Sequence, residues 1–137
     1  MNLNQVTLPA TDVARSSEFY RDLGFTQIVS HLPSYARFEC SAGGSTFSLH
    51  RVESVTADCG VIVYFECDNL DVTFRELSAR GFVFDSPPTD QAWLWREAYF
   101  RDPDGNVLCL YFAGQNRRHP PWRISTPPGP IAAQRRD

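Results

Sequence analysis

The chain has no lysine: all thirteen of its basic residues are arginine. Schiff-base chemistry on a lysine amine is therefore excluded, and so is a phosphate-loop lysine. Blocks of like charge are also missing. A formal net charge of −3, spread along the chain, offers no footprint for nucleic acid or an anionic membrane surface. No apolar run approaches the ~20 residues that a membrane span needs. Met1-Asn2-Leu3-Asn4 carries no charged-then-apolar leader pattern, so a cytoplasmic protein is expected. Cysteine is sparse. Cys40, Cys59, Cys67 and Cys109 show no CxxC spacing, which argues against a disulfide framework or a zinc knuckle and for free thiols.

What is present is ordinary in bulk and generous in rings. The 137 residues are 42% hydrophobic and 21% charged, enough for one domain or two half-domains sharing a core. Three Trp, five Tyr and ten Phe supply either that core or the walls of a wide groove.

Gln5 to Pro9 alternates polar and apolar side chains, as a half-buried strand does. Thr11 and Asp12 offer an N-cap, a helix runs to about Asp22, and Gly24 suits the left-handed position that ends it. Phe25 to Val29, Ala36 to Cys40 and Thr46 to Val52 read as three strands. The pattern then restarts. Val61 to Cys67 is a strand, and Asn69 caps a helix with Leu70, Thr73, Phe74 and Leu77 at helical spacing. Gly81 stops that helix, and Phe82 to Asp85, Glu97 to Arg101 and Val107 to Phe112 complete the second set. Gly24-Phe25 falls on Gly81-Phe82 and Gly44 on Gly105, so Gln5 matches Ile62 and Ser48 matches Cys109. The domain is expected over residues 1–113, with module one at about 3–53 and module two at about 60–113. A Pro-rich arm and tail, 114–137, follows, with Trp122 and Ile124 as anchors and disorder expected from Ser125.

The turn Arg101-Asp102-Pro103-Asp104-Gly105-Asn106 ahead of a strand, the helix segment Glu18 to Phe25 and the internal repeat together resemble the vicinal oxygen chelate superfamily. That superfamily includes glyoxalase I, extradiol dioxygenases and the bleomycin-resistance proteins. The resemblance implies an α+β fold in which two βαβββ modules form a cupped mixed sheet. In its metalloenzymes each module supplies ligands from its first and last strands, and the third residue after the turn asparagine is a glutamate. Carried onto this chain, those places hold Gln5, Ser48, Ile62 and Cys109. An amide, a hydroxyl, a hydrocarbon and a thiol do not make a site for a hard divalent ion. No metal and no cofactor are therefore expected at the inherited place. Two displaced chemistries stay open. His50, Glu66 and Cys109 would form an unusual metal set, and Cys109 with His50 would form a nucleophile–base pair.

The remaining expectation is a groove that binds rather than reacts. His50, Tyr64 and Tyr111 share faces with the inherited positions by the period of two. Trp93 and Trp95, two apart at a strand entry, would point the same way beside Glu97. This segment is similar to the metal-free bleomycin-resistance branch, whose members bind a drug in aromatic-lined grooves between two subunits. The resemblance implies a homodimer holding a planar or aromatic small molecule without a metal. The alternatives are a glyoxalase-like lyase or dioxygenase-like enzyme with unusual ligands, and an interaction module whose cavity its own side chains fill.

Overall fold

The computed structural model describes residues 1–56 and 58–125, so the tail expected beyond Ser125 lies outside the described residues. Alternation along Gln5–Ala10 buries Leu8 and Ala10 and leaves Gln5 and Thr7 outward, forming strand β1. The Asp12 carboxylate accepts the Arg15 amide at 3.0 Å and opens helix α1, Val13–Leu23. Gly24 ends it at φ 110°, a conformation that costs a residue with a Cβ dearly. Strands β2 (Thr26–His31), β3 (Tyr35–Glu39) and β4 (Thr46–Arg51) follow, and the first sheet has the order β1-β4-β3-β2.

The second module repeats this plan. It comprises β5 (Ile62–Glu66), α2 (Leu70–Ala79, capped by Asn69), β6 (Thr89–Asp90), β7 (Arg96–Arg101) and β8 (Val107–Phe112), in the order β5-β8-β7-β6. In both modules the first strand runs parallel to the last, and Thr7 lies beside Ser48 as Tyr64 lies beside Cys109. The fold is α+β with two βαβββ modules, as the repeat implies.

One expectation changes. The strand anticipated at Phe82 to Asp85 is reduced to a single bridge, Phe84 to Phe100, and its edge place passes to Thr89–Asp90. Pro87 and Pro88, without amide donors, interrupt any ladder between the two. The mixed sheet is built as two four-stranded halves, one from each module. Where β1 and β5 approach there is no ladder among the described residues, and a groove of about 550 Å³ runs between them.

Both sheets turn their apolar faces to one core, which joins Leu8, Tyr20, Phe38, Phe47 and Leu49 to Leu70, Phe100, Leu108 and Leu110. Phe47 meets Phe65 at 5.6 Å and Phe19 meets Phe100 at 6.3 Å between ring centroids, so aromatic contacts cross the module boundary. The turn at 102–106 clamps that boundary. Asp102 accepts the Tyr20 hydroxyl at 2.7 Å and the Asp104 and Asn106 amides at 3.0 and 2.9 Å. Asp104 accepts the Thr11 amide and the Thr11 and Ser16 hydroxyls, tying the entry to α1 to the other module. Asn106 Nδ2 donates to the Pro9 carbonyl at 3.0 Å.

Candidate functional site

Because the alternate side chains of each sheet enter the shared core, the intervening ones form two outward faces. On module one, Gln5 Nε2 donates to Ser48 Oγ at 2.8 Å, and Ser48 Oγ lies 2.5 Å from the Tyr35 hydroxyl. Arg37 Nε donates to that phenol oxygen at 3.0 Å, with its guanidinium 5.5 Å from the Tyr35 ring centroid. Thr46 donates its hydroxyl to Gln5 Oε1. The structure thus joins two residues singled out from sequence, Gln5 and Ser48, through two that were missed, Tyr35 and Arg37. Their signal was present. Ala36 and Phe38 are core residues of β3, so the period of two sends Tyr35 and Arg37 to the opposite face. His50 sits opposite Tyr35 across the β3–β4 ladder and is exposed. The Ser48 hydrogen bond, aided by Arg37, holds the Tyr35 phenol below its ordinary pKa against the opposing effect of burial.

On module two the outward face is aromatic. Trp95 stacks on Tyr111 with centroids 4.7 Å apart, and Tyr64 meets both edge-on at 5.8 and 5.7 Å. The pair Trp93 and Trp95 is delivered by a turn rather than by a strand entry. Leu94 takes φ 66° there, and the Gln91 amide donates to the Trp95 carbonyl. Trp93 Nε1 donates to Glu97 Oε1 and the Tyr99 hydroxyl to Glu97 Oε2, both at 2.8 Å. Glu97 is therefore a carboxylate only 2% exposed, met by two neutral donors. Beside it Cys109 is fully buried, and burial, reinforced by the Glu97 charge, pushes its thiol up to about 12. Tyr99 is raised for the same first reason, burial, with its hydrogen bonds to Tyr64 and Glu97 adding to it. Tyr111 donates to Glu66 Oε2 at 3.2 Å, and Arg117 Nε approaches that oxygen at 3.7 Å.

Arg117 belongs to a 3-10 turn, Gly114–Arg117, whose Asn116 carbonyl accepts the Trp95 indole N–H at 3.5 Å. The arm after the last strand is held to this face by Arg117 and Asn116. Trp122 and Ile124, the expected anchors, are 56% and 78% exposed on the single chain.

The inherited ligand places do not fit a metal. Ser48 oxygen is engaged by Gln5 and Tyr35, Gln5 oxygen by Thr46, Ile62 offers no donor atom, and Cys109 stays a neutral thiol. The displaced set fails too. Among the described residues no three His, Cys, Asp or Glu side chains converge as ligands, so His50, Glu66 and Cys109 do not. The Cys109–His50 nucleophile pair is disfavoured by the same raised thiol.

The family model described as Glyoxalase/Bleomycin resistance protein/Dioxygenase superfamily matches residues 2–110. The chain belongs to that superfamily. A glyoxalase/bleomycin resistance protein/dioxygenase from Nocardioides is 26% identical, with TM-score 0.72 over 91% of this chain and 90% of its own. Lactoylglutathione lyase from Agrobacterium tumefaciens superposes with TM-score 0.70 at 19% identity, covering 86% of this chain and 96% of that one. A bleomycin-binding protein complexed with bleomycin gives TM-score 0.69 at 19% identity over 82% and 98%. A lyase and a drug-binding protein share this fold equally well, so the side chains must decide between them. Among the described residues no helix is long and apolar enough to cross a membrane.

Proposed function

We propose that this member of the superfamily binds a planar, aromatic small molecule without a metal, in a groove completed by a second copy of the chain. The observation that carries the reading is the Trp95–Tyr111–Tyr64 cluster, in which Trp95 stacks on a buried Tyr111 and Tyr64 and Trp93 stay 40% and 48% exposed at its edge. Each module's polar or aromatic face lies off the common core, with Ser48, Cys109 and Tyr111 buried within that face and Tyr64, Trp93 and His50 exposed at its rim. A second copy supplies the missing wall by setting the hydroxyl- and arginine-bearing face of one chain against the aromatic face of the other. The exposed apolar residues Leu3, Val61 and Ile62 along the open edges of β1 and β5 support such an interface. The likeness to the bleomycin-binding protein agrees with this reading at the level of fold.

The test is calorimetric titration with 2-naphthamide, a flat uncharged probe, before and after dialysis against EDTA. Saturable binding that survives EDTA and weakens at least tenfold in Trp95→Ala and Tyr64→Ala is expected, a change of about 1.4 kcal/mol. Affinity that vanishes with EDTA and returns with a divalent ion would replace this reading with a metal-dependent one.

A further inference from the structure

Arg37 is arranged as a receptor without a ligand. Its Nε is committed to the Tyr35 hydroxyl, which fixes the guanidinium plane over the phenol ring. Among the described residues no carboxylate comes within ion-pairing distance of it, and its two terminal nitrogens donate to nothing. The outer fork, the edge that grips two oxygens at once, is thereby left open.

The neighbouring hydroxyls supply one more donor. Gln5 donates to Ser48, and Arg37 donates to Tyr35, while Ser48 and Tyr35 share a single proton across 2.5 Å. Two hydroxyls hold two protons, and only one is used between them. With Ser48, fully buried, donating to the partly exposed Tyr35, the phenol proton is free to turn outward beside Arg37. A guanidinium fork and one phenol give three donors on one edge, suited to the two oxygens of a carboxylate. A phosphate dianion has three terminal oxygens and twice the charge, more than one arginine and one phenol satisfy.

We infer that Arg37 and Tyr35 form a carboxylate-binding subsite, and that the ligand is an aromatic carboxylic acid held by its anionic end on module one. This rests on the aromatic-ligand reading above, which supplies the other end. His50, beside Tyr35 on the next strand, rims the subsite.

Calorimetric titration with 2-naphthoate, 2-naphthamide and 2-naphthyl phosphate separates the two ideas. The naphthoate is expected to bind at least tenfold more tightly than the amide. Arg37→Gln should erase that preference, naphthoate affinity falling at least tenfold toward that of the amide, a loss that charge-assisted hydrogen bonds account for. Tyr35→Phe, which keeps the ring but removes the donor, should reduce the preference by severalfold with the fold intact by circular dichroism. Equal binding of naphthoate and amide would overturn the subsite while leaving the aromatic reading in place. A preference that survives Arg37→Gln would also overturn it, as would tighter binding of the phosphate. Binding of none of the three would overturn both.

Discussion

Cys109 stands where the superfamily's metalloenzymes keep a glutamate, and its surroundings decide what it can do there. A carboxylate ligand must be charged to bind metal. This thiol is buried against a carboxylate that opposes its ionisation, with its pKa pushed up from 9.0 to about 12. At pH 8 iodoacetamide should alkylate the exposed Cys59 and leave Cys109 untouched until the protein is denatured, as peptide mass spectrometry would report. Modification of folded Cys109 at the rate of Cys59 would reinstate it as a nucleophile. The sign of the linked stability is also fixed. The unfolded chain releases this proton near 9 and the folded chain holds it to about 12, so stability falls as pH rises through that window. At this scale the sequence was half legible. The repeat located Gln5, Ser48 and Cys109 because glycine-bearing turns align. Tyr35, Arg37 and Tyr99 carried no motif: the period of two sets the face of Tyr35 and Arg37, but only strand pairing joins them to Ser48 and sets Tyr99 beside Cys109.

The turn at Asp102 to Asn106 looks like an approach to the site, yet its carboxylates point elsewhere. Asp104 ties down the start of a helix in the other module, accepting three donors from Thr11, just before the Asp12 cap, and from the Ser16 hydroxyl. Asp104→Ala leaves a part-buried amide and two hydroxyls without that acceptor. The expected loss is about 1–3 kcal/mol in urea unfolding, with ligand affinity unchanged. A loss below about 0.3 kcal/mol would show that the turn does not clamp the modules. Helices and their caps were readable from sequence because Asp12, Asn69 and Gly24 act locally. The Phe82 to Asp85 strand was not, since its alternation is apolar enough. What removes it is the loss of donors at Pro87-Pro88 and the tie of Arg96 to Asp71 and Asp90, at 2.8 and 3.0 Å.

The whole molecule presents a seam rather than a closed cup. Val61 is 61% exposed and Leu3 83%, and Ile62 and Tyr64 remain 36% and 40% exposed on an edge strand that pairs on one side only. Surface of that kind is costly for a monomer to leave in water and is commonly covered by symmetric self-association. Light scattering after gel filtration should therefore give twice the chain mass, and Ile62→Arg should yield folded monomers that bind 2-naphthamide at least tenfold less well. A wild-type monomer with full affinity would refute the composite groove.

The clamp from module two onto α1 has a consequence for the order in which the molecule comes into being. The groups it joins lie 93 residues apart at Thr11 and Asp104, and 82 apart at Tyr20 and Asp102. Synthesis delivers the amino-terminal half first. That half emerges with Thr11 and the Tyr20 hydroxyl still without the acceptors they find in the folded protein. Module one is therefore finished last although it is translated first, and its final acceptors arrive only a few residues before the last strand. The contacts are of the long-range kind that slows folding. A nascent chain that stops short of Asp102 carries Thr11 and Tyr20 without the acceptors that pair them in the folded protein.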